Sequence, residues 1–315
     1  MRAMNKIVPK IDFAVGGQAV IEGVMMRSPN FYTVAVRDEK GKIQTKVQKF
    51  KSITERFQIL KLPLIRGVVH LIESMMIGFK ALDYSNEIFL GEHEKEEKER
   101  GFIMKTLFAF FGVLYVVATL AFTIFLLKFI PLWLAGKAAE AWPLIEEHYL
   151  IFNAIDGSAK ITIFIAYILL ISLLKDIQRV FQYHGAEHMS IWTYEQGLEL
   201  TVKNAKKQTR FHPRCGTSFI FIVILMSIFV YTLVPPADGF WMMLGQRLLV
   251  VPLIAGVSYE LLKLSAKWQN HFIMRAFVLP GLLIQRLTTK QPDDQQLEIA
   301  LHSLKASLKA EQLPA

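Results

Sequence analysis

The sequence predicts a mainly α-helical, polytopic membrane protein: about four transmembrane helices, a small N-terminal β-element and a cytosolic amphipathic C-terminal helix. Three observations predict it. The 315 residues are 53% hydrophobic, with a mean hydropathy of +0.34. Two stretches, Thr106–Leu127 and Cys215–Val234, run for 22 and 20 residues without a charge, each long enough to cross a hydrocarbon core of about 30 Å. The net charge of +9 is carried by Lys and Arg that flank apolar segments, as expected of residues held on the membrane face with anionic lipid. These basic residues are not interleaved with aromatics in a polar domain, so membrane lipid is the expected partner and nucleic acid is not. A membrane-protein partner or a homo-oligomer is a further candidate.

The elements follow in chain order. Residues 1–59 read as a cytosolic β-hairpin element. The basic stretch Met1–Ile11 is not followed by a short apolar core and a small-residue cleavage site, so no signal peptide is expected. Tyr32–Arg37 and Lys42–Lys49 alternate apolar and polar residues around the turn Asp38-Glu39-Lys40-Gly41, a hairpin pattern. Gly16 and Gly17 suggest a tight turn or a close backbone approach, and no phosphate-loop pattern accompanies them. Residues 60–100 read as an amphipathic helix and a charged linker. Leu64, Val68, Leu71, Ile72, Met75 and Met76 fall near helical spacing, broken by Arg66, His70 and Glu73, which suits an interfacial or packed helix better than a span. The run EHEKEEKER at 92–100 is a solvated helix or linker.

Residues 101–274 form the expected membrane domain, with spans near 106–127, 158–178, 215–234 and 241–262. The second is short, with 14 uncharged residues from Ile161 to Leu174, but Lys160 and Lys175 at its ends can snorkel to both interfaces. The fourth carries Arg247 and Glu260. Glu260 is either a functional intramembrane carboxylate, paired with Arg247 or Lys263 or near a metal, or an interfacial residue just past the helix end. Charge decides the count. The loop 179–214 holds Arg179, Lys203, Lys206, Lys207, Arg210 and Arg214, and Lys263, Lys267 and Arg275 follow the last span. These two basic regions share one side only if both weaker spans cross. The expected location is the cytoplasmic (inner) membrane, multi-pass, with both termini and the loop 179–214 cytoplasmic. Residues 275–315 form a cytosolic tail whose Leu297, Ala300, Leu301, Leu304 and Leu308 make one helical stripe, a surface-lying or partner-docking helix.

The chemistry gathers in the loop between the second and third spans. On a helix, His184 and His188 share a face and Glu187 lies on nearly the same one. Two imidazoles and a carboxylate so placed can hold a divalent metal beside a base, and the spacing is H-x-x-E-H. His212 and Cys215 follow three residues apart. If both neighbouring spans are real, His184, His188, His212 and Cys215 can meet at one membrane face, and a mixed imidazole and thiolate set favours Zn²⁺. Four protein ligands make a closed structural site; three plus water make a catalytic one, with Glu187 as general base. Packing and headgroup contacts are the plainer roles for these histidines, and a small buried residue is the plainer role for Cys215. Glu195 is an additional ligand candidate or a solvated glutamate, and Glu22 carries no assigned role. With Cys215 the single cysteine, no intrachain disulfide is possible.

Four blocks, GGQAVIEGVMMR (16–27), YHGAEH (183–188), HPRCGTSF (212–219) and PGLLIQRLTT…PDD (280–294), resemble the YqhQ-like bacterial membrane proteins, domain of unknown function 1385. The resemblance spans about residues 13–302. It implies a bacterial-type cytoplasmic membrane protein and supplies no activity. Three functions remain open from the residues: a membrane metal-dependent hydrolase acting on a lipid-linked or membrane substrate, a non-enzymatic scaffold or assembly factor with a structural metal, and a transporter. Four spans lack the repeated halves common among carriers.

Overall fold

The computed structural model describes residues 15–90, 102–267 and 272–312. The basic stretch Met1–Ile11 and the charge run 92–100 lie outside the described residues. Four antiparallel strands form a meander in chain order: β1 (Gly16–Val20), β2 (Gly23–Arg27), β3 (Phe31–Arg37) and β4 (Ile43–Lys49). The expected hairpin is β3 and β4, paired from Phe31 against Lys49 to Arg37 against Ile43. The sheet is twice as large as that hairpin. Strand β2 escapes the alternation test because it is covered on both faces, so Gly-Val-Met-Met reads as an unbroken apolar run. Ile77 and Ala81 of helix α1 (Ile65–Leu90) cover one face, packing on Val20, Met25, Tyr32, Val34 and Val36.

The other face carries the C-terminal helix. We number the remaining helices α2 (Phe102–Ile124), α3 (Ile130–Ala141), α4 (Pro143–Glu147), α5 (Tyr149–Ile171), α6 (Lys175–Glu195), α7 (Val202–Ala205), α8 (Gly216–Leu233), α9 (Phe240–Leu249), α10 (Val251–Lys267), α11 (Phe272–Thr288) and α12 (Asp294–Gln312). The stripe Leu297, Ala300, Leu301 and Leu304 of α12 is buried against Val24, Met26 and Ala35 of the sheet and Tyr183, Ala186 and Met189 of α6. The tail helix is therefore neither surface-lying nor waiting for another protein; its partner is this chain's own sheet. Each buried leucine contributes about 1.5–3 kcal/mol through the apolar surface it withdraws from water. Glu298 on its outer side meets Arg37, and Glu311 accepts from Ser28 Oγ at 2.7 Å, so polar contacts fix both ends of the dock.

Among the described residues, three helices are long and apolar enough to cross a membrane: Phe110–Ala141, Tyr149–Ile171 and Gly216–Leu233. Helices α9 and α10 make a fourth if the pair, bent by 42°, crosses as one. The boundaries differ from the expected ones where charges were taken as span ends. Helix α2 continues through a π-helical turn, Phe125–Phe129, into α3, because Lys128 Nζ has a partner in Tyr231 Oη at 3.1 Å. The apolar helix in the place of the expected span 158–178 runs from Tyr149 to Ile171. Asp156 and Lys160 lie inside it, buried, and Asp156 Oδ2 accepts from both Lys160 Nζ and Arg247 Nη1. Asn153 Oδ1 accepts from Arg247 Nη2 at 2.6 Å. A buried charge persists in an apolar helix when it is paired and hydrogen-bonded, and this one is.

Two further expectations are corrected. Glu260 pairs with neither Arg247 nor Lys263; both of its oxygens accept from Arg66 of α1, which ties that helix to α10. It is also absent from the His/Cys group described below. The expected tail boundary at residue 275 falls inside a helix, because α11 runs from Phe272 to Thr288 through Pro280. Gly281 is there for close approach: a Cβ would stand 2.6 Å from Ser218 Oγ of α8. Asp156→Ala leaves Lys160 and Arg247 buried without their carboxylate and is expected to cost about 3–5 kcal/mol. The midpoint of unfolding in detergent reads this, and an unchanged midpoint would contradict the pin.

Candidate metal centre

Three apolar helices end around one point. Helix α5 stops at Ile171, α8 starts at Gly216 and α11 stops at Thr288. Phe164 and Ile168 of α5, Ile224 of α8 and Ile284 of α11 pack together just behind these ends. Helix α6 leaves α5 after a three-residue break and carries Tyr183–His188 past the other two termini. The chemistry-bearing residues thus sit on a rigid helix held against three others.

The protonation of the two histidines follows from their partners. A carbonyl oxygen only accepts hydrogen bonds. His184 Nδ1 lies 2.8 Å from the Thr288 carbonyl and His188 Nδ1 lies 2.6 Å from the Arg210 carbonyl, so each Nδ1 bears the proton and donates. In the neutral form of each ring the lone pair is left on Nε2. His184 Nε2 is 3.1 Å from Cys215 Sγ, and one ligand atom from each of His184, His188 and Cys215 lies within 4.8 Å of the others. Cys215 caps α8, where Thr217 N–H points at its sulfur from 3.5 Å. A helix N-terminus is where an anionic sulfur is best tolerated. Burial also pushes the His188 imidazolium below its usual range, which keeps the ring neutral.

Glu187 completes the group. Its Oε2 stands 3.9 Å from Nε2 of both His184 and His188. Burial raises its carboxyl above the ordinary range, against the neighbouring His184 and His212 and the backbone of Gly17. The packing of β1 on Glu187 explains Gly17. A Cβ on Gly17 would meet Met25 O at 2.6 Å and Glu187 Cγ at 2.8 Å, so β1 can lie over the site only with glycine there. Strand β1 is held in place by Glu22, in the left-handed region at φ 50°, whose carboxylate takes a bidentate pair from Arg179 and a hydrogen bond from Tyr183 Oη at 3.1 Å.

His212 is close to the group without joining it. Its Nε2 donates to Glu195 Oε2 at 3.4 Å, its Nδ1 accepts from Arg214 N–H at 3.3 Å, and its ring lies between His188 and Trp192. Glu195 also binds Arg214, so it serves that side of the loop and not the His/Cys group. Two residues that spacing did not single out hold the loop in register. Gln285 Oε1 accepts from His212 N–H at 2.7 Å and its Nε2 donates to His212 O at 2.8 Å, while Trp192 Nε1 donates to Phe211 O. Their only trace in the sequence is position: Gln285 falls in the block 280–294, and Trp192 lies four residues after His188.

A cavity of about 680 Å³ opens on the group. His184, Glu187, His188 and Cys215 form its floor, β1 one wall, and apolar residues of α1 and α8 the other. His184, His188 and Cys215 would hold a metal ion on two imidazoles and a thiolate, with the Glu187 carboxylate alongside.

A family model described as "Protein of unknown function (DUF1385)" matches residues 62–310. The chain is 35% identical over 311 residues to the Bacillus subtilis (strain 168) protein named "Uncharacterized protein YqhQ", a match covering 96% of this chain and 95% of that one. No solved structure matches significantly.

Two outcomes test the site's packing and protonation. Gly17→Ala forces β1 away from Glu187 and is expected to lower the unfolding midpoint, whereas Gly16→Ala, which meets nothing within 4 Å, is expected to leave it in place. Equal effects of the two would contradict the close approach. Burial also pushes the His212 imidazolium down to about 4, while the unfolded chain protonates near an ordinary pKa of about 6.5. Between those values the unfolded state binds more protons, so stability falls as pH drops from about 6.5 to about 4. His212→Gln is expected to lose less stability across that window than the wild type in acid titrations of the unfolding midpoint.

Proposed function

The chain belongs to the DUF1385 family, and from that premise we propose a zinc-dependent hydrolase of the bacterial cytoplasmic membrane, acting on a lipid-linked or membrane-embedded substrate. His184, His188 and Cys215 are the proposed ligands and Glu187 the proposed general base. One observation carries the reading. Two histidines have their protons fixed on Nδ1 by backbone carbonyls, so both Nε2 atoms converge with a thiol at the floor of a cavity. Packing alone does not require the second lone pair to be left without a donor, since the single Cys215 thiol proton can serve only one of the two Nε2 atoms.

Bound zinc supplies Lewis-acid activation of water and of the polarised substrate group. This chain's residues supply the rest. Glu187, packed against Gly17 and raised by burial, takes a proton from water and returns it to the leaving group. The ester or amide-type bond breaks as the water oxygen adds, and no oxidant or reductant is needed. The buried floor keeps bulk water from the reacting atoms. Three protein ligands facing a cavity support a catalytic site over a closed structural one, which separates this reading from the scaffold. His212, turned to Glu195 and Arg214, takes no ligand role in it.

Metal content decides first. Protein purified without chelators is expected to hold one zinc per chain, and His184→Ala, His188→Ala or Cys215→Ala to lose most of it. Glu187→Gln is expected to keep the metal while losing cellular function by about 10²-fold or more. Full function in that variant, with metal bound, would point to the scaffold.

A further inference from the structure

Beside the site lies a second cavity, of about 450 Å³, with apolar walls from Val15, Met25 and Ile77 and two guanidinium groups in its lining. Arg27, Arg214, His70, Ser74 and Tyr259 line it, together with the backbone of Gly16 and Gly17, and no carboxylate does. The nearby acids lie behind this lining, each already bound to one of its members. Glu73 accepts from Ser52 Oγ, from Ile53 N–H at 2.7 Å and from His70 Nδ1. Glu195 is taken by Arg214 and His212. Arg27, half-buried on β2, donates to Ser74 Oγ at 3.1 Å and lies over the Phe50 ring at 4.5 Å. Among the described residues no carboxylate stands within ion-pair distance of it, and the Glu73 charge reaches it only from farther off. A guanidinium withdrawn from water without a contacting counter-charge gains from an anion that completes it.

The two cavities share the walls Val15–Gln18, Ser74 and Arg214. The larger one leads outward along Leu71, Met75 and Phe79 of α1 to Ile220 of α8. Met75, Phe79 and Ile220 are exposed, and Ile220 belongs to a helix apolar enough to span a membrane. The joined cavities thus offer a ligand an apolar wall, the His/Cys group and two guanidinium groups.

We propose that Arg27 and Arg214 form a phosphate subsite and that the substrate is a phosphate-bearing membrane lipid whose chains lie along Leu71, Met75, Phe79 and Ile220. This names the substrate class for the hydrolase reading and rests on it for turnover, but binding can be measured without turnover. A planar guanidinium pairs with phosphate oxygens through parallel N–H donors, which lysine cannot reproduce.

The test is calorimetric binding to the full-length protein in detergent, before and after treatment with a chelator. Three probes are compared: dihexanoyl phosphatidic acid, dihexanoylglycerol and inorganic phosphate. Phosphatidic acid is expected to bind best. Dihexanoylglycerol is expected to be weaker by about tenfold to a hundredfold, the range for a lost charge-assisted contact. Arg27→Gln is expected to show a similar loss for phosphatidic acid, and Arg27→Lys to recover part of it, with unfolding midpoints confirming that each variant folds. Inorganic phosphate as tight as the lipid would assign the subsite to free phosphate and overturn the lipid. Equal binding of dihexanoylglycerol, or unchanged binding by folded Arg27→Gln, would overturn the subsite. Binding that survives chelation upholds the subsite even if the zinc reading fails; binding abolished by chelation in wild type overturns it.

Discussion

Two backbone carbonyls, those of Thr288 and Arg210, decide what His184 and His188 can do. Each can only accept, so each fixes a proton on Nδ1 and turns an Nε2 lone pair inward. The rest of the site follows from that constraint. The two inward nitrogens need something between them, and the Cys215 sulfur at the start of α8 is the group the fold delivers. Thr288 is the last residue of α11 and Arg210 belongs to the segment that Gln285 and Trp192 hold in register. The orientation of two side chains therefore depends on where three helices end.

The layers around the site have separate anchors. The sheet is gripped by α1 on one face and by α6 and α12 on the other, almost wholly through apolar contact. The helical bundle is pinned by Asp156, Lys160, Arg247 and Asn153. Two ion pairs join the parts: Arg179 with Glu22 brings β1 to α6, and Arg66 with Glu260 brings α1 to α10. Each places a wall of the cavities. A loss at any of them reaches the site by shifting β1 or α1 and leaves the ligating side chains themselves in place.

Much of this was legible in the sequence, and the illegible parts have physical causes. His184, Glu187 and His188 could be placed together because helical geometry fixes what lies three and four residues apart. Cys215 could be brought to them because both ends of a loop between two spans return to one face. His212 shares that loop, but side-chain direction is not set by proximity, and its nitrogens went to Glu195 and Arg214. Strand β2 hid because both its faces are buried. The helix Tyr149–Ile171 starts earlier than expected because Lys160 looks like an interface residue until Asp156, which Arg247 some 90 positions away also binds, supplies its partner. Pairings of that separation leave no local pattern. Gly17 was readable as a close approach, and what approaches it is Glu187.

The central claim is an open three-ligand zinc site on His184, His188 and Cys215. Zinc K-edge absorption on protein purified without chelators tests it most directly. The account predicts two imidazole nitrogens at about 2.0–2.1 Å, one sulfur at about 2.3 Å and one further oxygen donor. A shell without sulfur, a shell completed by a third imidazole, or no stoichiometric metal would contradict it.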